Sequence, residues 1–250
     1  MTRILILGGT TEASQLARAI AIAGLEAVFS YAGRTDAPRP QPLPTRIGGF
    51  GGAEGLATYL TAQRISHVVD ATHPFAAQIS RNAVLACKAV GLPLLGLERP
   101  AWRAQAGDHW MPVPDVAAAV AALPDGGAQV FLAIGKQSLV PFAAKPANRY
   151  LLRLVDPPIE ALPLVDAQVV IDTGPFTVDG DTALLRAHAI SHIVAKNAGG
   201  VGAEAKLAAA RKLGLPVVMI DRPQMPLRTL VTSVPEIMAW LGHAETDRGV

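Results

Sequence analysis

The chain has 250 residues, 50% of them hydrophobic and 17% charged, with a formal net charge of +2. So small a net charge excludes the basic footprint of a nucleic-acid-binding domain. The single cysteine, Cys87, excludes an internal disulfide and a cysteine-based zinc site. No apolar run approaches the roughly 20 residues of a membrane span, and no leader-like segment precedes the first strand. A soluble, cytoplasmic, monomeric protein is therefore expected. Aromatic residues are scarce at 5%, and the abundance of Ala, Val and Leu fits strands alternating with helices in an α/β fold.

The run Arg3-Ile4-Leu5-Ile6-Leu7 is too short for a helix and ends on Gly8-Gly9, so it reads as a buried strand. Beyond it, Ala13, Leu16, Ala17 and Ile20 recur at helical spacing. The pattern predicts strand, tight turn, helix. Such a turn sets backbone N–H groups beside the positive end of the helix, which suits a phosphate. Gly8 and Gly9 would let a ligand approach the backbone, and Thr10 or Thr11 would cap the helix or meet a phosphate oxygen. The adjacent glycines depart from the G-x-G-x-x-G fingerprint, so a plain structural turn is the alternative. Glu26 to Tyr31 forms the second strand and runs into Ala32-Gly33-Arg34-Thr35. In a nucleotide-binding unit this end meets the adenosine ribose. Ser30, Arg34 and Thr35 stand there, and Arg34 suits a 2′-phosphate, which favours NADP. A solvated loop arginine is the alternative.

Residues 36–46 hold four prolines and read as an extended loop before a short strand. Gly48-Gly49-Phe50-Gly51-Gly52 opens a helix from about Glu54 to Gln63. The cluster could shape a ligand pocket, but glycine count alone favours a plain turn. Ser66 to Ala71 is a further buried strand, followed by Thr72-His73-Pro74-Phe75 and a helix to about Val90 with Pro74 at its first position. Thr72 and His73 would then lie at the carboxyl end of the sheet, where open α/β sheets bind ligands. A strand over Leu92 to Leu97, a short one near His109 to Met111 and a helix from Asp115 to Leu123 precede the strong turn Pro124-Asp125-Gly126-Gly127.

The second half repeats the first. Ser66-His67-Val68-Val69 matches Ser191-His192-Ile193-Val194 at an offset of 125, Gly91-Leu92-Pro93 matches Gly214-Leu215-Pro216 at 123, and Phe50 matches Phe176 at 126. So long a period indicates a duplicated domain rather than a solenoid. We expect two similar Rossmann-like α/β domains with parallel sheets and a shared cleft, an NADP-binding one over 1–125 and a cleft-closing one over 126–250. A terminal strand-helix pair of each could cross to the other. Where the first half has Gly9-Thr10-Thr11, the second has Gly135-Lys136-Gln137-Ser138. Where the first has Asp70-Ala71-Thr72-His73, the second has Ala195-Lys196-Asn197-Ala198. Lys136 and Lys196 at matching strand ends suit an anionic ligand. Neither a G-x-S-x-G elbow, an H-E-x-x-H helix nor a Walker loop occurs, and the six histidines lack ligand spacing, so no metal site is expected. An enzyme without a nucleophile or metal fits chemistry carried by a cofactor.

Five segments resemble the precorrin-6A reductases of cobalamin biosynthesis: Leu5-Ile6-Leu7-Gly8-Gly9-Thr10-Thr11-Glu12, Ala32-Gly33-Arg34, Asp70-Ala71-Thr72-His73-Pro74-Phe75-Ala76, Gly174-Pro175-Phe176 and Lys196-Asn197-Ala198-Gly199-Gly200. Ala198 replaces the family's usual serine. The resemblance implies NADPH-dependent reduction of one double bond of the precorrin-6A macrocycle, with relatives that take the cobalt form. It sets Gly8, Gly9, Thr10, Glu12, Ser30, Gly33, Arg34 and Thr35 around NADP(H), with Thr72 near the nicotinamide. Lys136, Gln137, Lys196 and Asn197 would touch cofactor or substrate, and His73 and Lys196 are candidate proton donors. Another NADP-dependent reductase or a sugar-nucleotide enzyme shares the same plan, and a two-lobed ligand-binding protein is the reading of a different class.

Overall fold

The computed structural model describes residues 2–33 and 39–246, with side chains as far as residue 242. Arg34 and Thr35, both expected at the cofactor, lie outside the described residues. The elements run β1 (Arg3–Leu7), α1 (Thr11–Ile22), β2 (Glu26–Tyr31), β3 (Thr45–Ile47), α2 (Gly52–Ala62), β4 (His67–Asp70), α3 (Ala77–Val90) and β5 (Leu94–Leu97). They continue with β6 (His109–Val113), α4 (Val116–Ala122), β7 (Gly126–Ala133), β8 (Ala147–Leu154), β9 (Ala167–Ile171), α5 (Val178–Ala187), β10 (His192–Lys196), α6 (Ala205–Leu213), β11 (Pro216–Ile220), β12 (Thr229–Val231) and α7 (Val234–Thr246). No described helix is long and apolar enough to cross a membrane.

The strands form two six-stranded parallel sheets, ordered β12-β5-β4-β1-β2-β3 and β6-β11-β10-β7-β8-β9. Both follow the doubly wound order, in which the chain starts at the centre and reverses direction beside the first strand. The sixth strand of each comes from the other half of the sequence. β6 joins β11, and β12 joins β5. The compact units are accordingly Met1–Pro100 with Gln224–Val250, and Ala101–Pro223. The expected division at 125/126 is corrected by this exchange: the sequence repeat marks where each copy begins, while the edge strands mark where each sheet is completed.

In the first unit β1 is buried on both faces, as a parallel sheet requires. Ile4 and Ile6 pack in one layer with Leu16, Ile20, Ile237 and Leu241. Leu5 and Leu7 pack in the other with Leu56, Leu60 and Ala83. Cys87 belongs to this second layer, and burial, aided by the charge of Asp70, pushes its thiol up to about 12. In the second unit Phe131, Ile193 and Val217 pack with Leu185 and Leu207.

The duplication is visible in hydrogen bonds. Ser66 Oγ accepts from the Arg3 amide at 2.8 Å, and Ser191 Oγ accepts from the Gln129 amide at 3.0 Å. Each hydroxyl lies 2.9 Å from Nδ1 of the histidine that follows. Gly91 and Gly214 both close their helices in the left-handed region, at φ 68° and 65°. The copies diverge after their first strands. β1 leads into the twelve-residue α1, whereas β7 leads through Gly135 into 3-10 turns over Lys136–Ser138 and Val140–Ala144. Pro141 removes an amide where a full α-helix would use it. A second correction concerns Pro74. α3 starts at Ala77, because the Ala76 amide bonds the His73 carbonyl at 2.7 Å and closes a separate turn first.

An ion network fixes β12. Arg228 Nη1 donates to Asp70 Oδ2, and Nη2 donates to Glu98 Oε2 at 3.1 Å; the side chains of Arg228 and Asp70 are 8% and 1% exposed. Gly96 permits the crossing, since a Cβ there would meet Leu230 Cδ2 at 2.5 Å. Arg228→Met strands the Asp70 carboxylate and should cost about 3–5 kcal/mol, read as a lower chemical-denaturation midpoint. Burial holds the pKa of His192 below its usual value. The unfolded chain therefore binds a proton that the folded ring resists, and stability falls as pH drops below about 6.5. His192→Gln should flatten the dependence of Tm on pH between about pH 7 and 5.

Candidate functional site

A cavity of about 650 Å³ opens where β1, β2, β3 and β4 end, and every described residue lining it belongs to the first unit. Its volume suits a cofactor-sized ligand. The first wall is the β1–α1 turn. Gly8 and Gly9 are glycines for different reasons. A Cβ on Gly8 would meet Phe29 Cζ at 2.1 Å, so its absence admits the core ring rather than a ligand. Gly9 adopts φ +121°, a Cβ there would meet nothing within 4 Å, and the residue leaves the backbone open to the cavity. Thr10 caps α1: its Oγ1 accepts from the Ala13 amide at 3.1 Å and donates to the Ala71 carbonyl at 2.8 Å. The hydroxyl thereby ties the turn to the end of β4. The Thr11 and Glu12 amides remain as first-turn donors at the positive helix end.

The second wall joins the end of β2 to the glycine cluster. Ser30, Tyr31 and Gly33 face Gly48, Gly49 and Phe50 across the parallel β2–β3 pair, in which Ser30 is opposite Arg46. Arg46 donates to Ser30 Oγ, Gly48 O and Gly49 O, each at 2.9 Å, and its guanidinium lies 3.8 Å from the Phe50 ring centre. Tyr31 Oη donates to the Arg39 carbonyl at 2.7 Å, and Gln41 Nε2 donates to Ser14 Oγ at 3.1 Å. These bonds hold the segment from Arg39 to Gln41 against β2 and α1.

The third wall follows β4. Asp70 Oδ1 accepts from Thr72 Oγ1 at 2.7 Å and from the Thr72 amide at 3.2 Å; Thr72 Oγ1 lies 3.2 Å from Ser80 Oγ. His73 is exposed, and its Nδ1 accepts from the Phe75 amide at 3.2 Å. In the neutral ring the proton then sits on Nε2.

Of the residues expected from sequence, Gly8, Gly9, Thr10, Ser30, Gly33, Thr72 and His73 line this one cavity. Glu12 does not: its carboxylate pairs with Arg99 at 3.1 Å. Four others belong to the second unit. Lys136 and Gln137 lie in its first 3-10 turn, and Lys196 Nζ donates to Ser138 Oγ at 2.8 Å. Asn197 is engaged with the Trp102 backbone, accepting from its amide at 2.8 Å and donating to its carbonyl at 3.1 Å. That closed pair ties the end of β10 to Trp102. Sequence reasoning passed over Arg39, Gln78 and Asn82, all in the lining. Gln78 Nε2 donates to Asn82 Oδ1 at 3.0 Å. A polar pair four residues apart on the first turns of the helix was the available signal.

The arrangement fits a dinucleotide. It offers open backbone at Gly9, amide donors at the α1 terminus for a pyrophosphate, and a β2 end without a carboxylate on Ser30, Tyr31, Ala32 or Gly33.

Comparison with known proteins agrees. The family model described as "Precorrin-6x reductase CbiJ/CobK" matches residues 3–242. A precorrin-6A reductase of Rhodobacter capsulatus is 64% identical over 251 residues, covering all of both chains. One from Rhodococcus erythropolis is 50% identical over 244 residues, covering 97% of this chain and 98% of its own. A solved structure titled "CobK precorrin-6A reductase" superposes with a TM-score of 0.93 at 65% identity, covering 97% of each chain. The chain belongs to the precorrin-6x reductase CbiJ/CobK family.

Proposed function

We propose that the protein reduces one double bond of precorrin-6A to give precorrin-6B, with NADPH as the electron donor. The observation that carries the cofactor half is the convergence on one cavity of Gly9, the α1 terminus and a β2 end whose described residues, Ser30 to Gly33, carry no carboxylate. Full-length identity to precorrin-6A reductases supports the substrate half and favours the metal-free macrocycle.

The bound nicotinamide supplies a hydride; with one proton, this adds two hydrogens across the double bond. The chain's own residues do the rest. Gly9 and the first-turn amides of α1 hold the pyrophosphate. Ser30 and Gly33 border the adenosine ribose, with Arg34 assigned to its 2′-phosphate by sequence position. Thr72, fixed by Asp70, borders the nicotinamide end. His73 donates the proton through Nε2, with Lys196 as the alternative donor. Lys136 and Lys196 supply positive charge for the carboxylates of the macrocycle.

Anaerobic incubation with NADPH and precorrin-6A should couple NADPH oxidation to a two-hydrogen mass gain in the macrocycle. Tight NADPH binding with no turnover would reject the substrate assignment, and failure to bind NADPH would reject the cofactor. His73→Asn should lower kcat about 100-fold and change the pH–rate profile. An unchanged kcat and profile would clear His73 of the proton role.

A further inference from the structure

We propose that Arg46, which the sequence does not single out, sets the preference for a 2′-phosphorylated adenosine. This rests on the NADPH reading and adds a specificity residue to it. Arg46 is half-buried behind the second wall of the cavity, bonded to Ser30 Oγ, Gly48 O and Gly49 O. These partners take three of its five N–H groups, and all three are neutral. No carboxylate pairs with Arg46 among the described residues, so its charge is free to act on an anion nearby.

The second unit offers a comparison. Its Arg153 lies 3.6 Å from the Phe176 ring centre, as Arg46 lies 3.8 Å from that of Phe50, and the two phenylalanines are 126 positions apart; the arginines themselves do not correspond, since Arg46 is on β3 and Arg153 on β8, the counterpart of β2. There the guanidinium is neutralised by Asp181, at 2.5 Å, whose side chain is 3% exposed. The helices that follow, α2 and α5, also start 126 positions apart, so Asp181 corresponds to Gly55. No carboxylate can stand at Gly55 in this backbone, because a Cβ would meet the Phe50 carbonyl oxygen at 1.8 Å.

On Phe176 the guanidinium thus meets a carboxylate, while on Phe50 no carboxylate among the described residues meets Arg46. The missing charge is supplied from the cavity side, at the end of β2, where a nucleotide-binding unit holds the adenosine ribose. A 2′-phosphate there meets a cation already oriented by Ser30, the glycine loop and Phe50. Arg46 acts on it through charge and through the loop it holds.

The test measures binding of adenosine 2′,5′-bisphosphate and 5′-AMP to the full chain by calorimetry. The wild type should bind the bisphosphate more tightly. Arg46→Met should weaken the bisphosphate roughly tenfold while changing 5′-AMP less than about twofold. Arg46→Lys retains the charge and should keep most of the preference, and the melting curves of both variants guard against a folding defect. Equal weakening of both probes would reduce Arg46 to a loop clamp and overturn the proposal. So would a methionine variant that keeps the full preference; the NADPH reading would then survive, with Arg34 carrying the phosphate. A wild type that binds both probes equally would overturn the proposal and the NADPH reading together.

Discussion

The first unit depends on the contact between Arg228 and Asp70. Asp70 ends β4 with a carboxylate that is almost wholly shielded from water, and such a group persists only with a charged partner and satisfied oxygens. One oxygen receives Arg228 from the far end of the chain; the other holds the Thr72 amide and hydroxyl. The same carboxylate therefore anchors the edge strand and shapes the third wall of the cavity. Thr10 works in parallel on the first wall, since its hydroxyl caps α1 and reaches the carbonyl of Ala71, beside Asp70. Two short polar bridges hold the β1–α1 turn and the turn that carries His73 to a single point of the sheet.

The two copies show what a duplicated plan retains and what it gives up. Retained are the serine that bonds the start of the central strand, the glycine that closes a helix, and a phenylalanine with a guanidinium over its ring, although the two arginines come from different strands. In the second copy, 3-10 turns replace the long first helix and an ion pair neutralises the arginine. Both changes remove features that attract an anion: an extended helix terminus and an uncompensated cation. The copy that keeps them is the one whose strand ends line the 650 Å³ cavity.

Much of this was legible in the sequence. β1, β2 and their turn follow from an apolar run broken by glycines, and the duplication follows from steady offsets between short segments. Seven expected ligand-side residues meet in one cavity because they sit just past strand ends, a place that periodicity locates well. What the sequence concealed depends on distance along the chain. Nothing local marks Arg228 as the partner of Asp70, 158 positions away, or β12 as the edge of the first sheet. Glu12 and Asn197 read as ligand-side polar groups, and their partners, Arg99 and Trp102, are not visible from the sequence. Gly8 reads as a concession to a ligand, whereas its neighbour is a buried phenylalanine.

The exchange of edge strands also has a consequence during synthesis. A ribosome delivers the first five strands of the first sheet early, but the sixth, β12, emerges only after the whole of the second sheet has been made. Until then β5 carries an unpaired edge, and the Asp70 carboxylate lacks the arginine that makes its burial tolerable. The second sheet meets no such delay, because β6 precedes its partner β11. The first unit begins first and is completed last, so the nascent chain passes through a stage in which the later-made unit is whole and the earlier-made one is waiting.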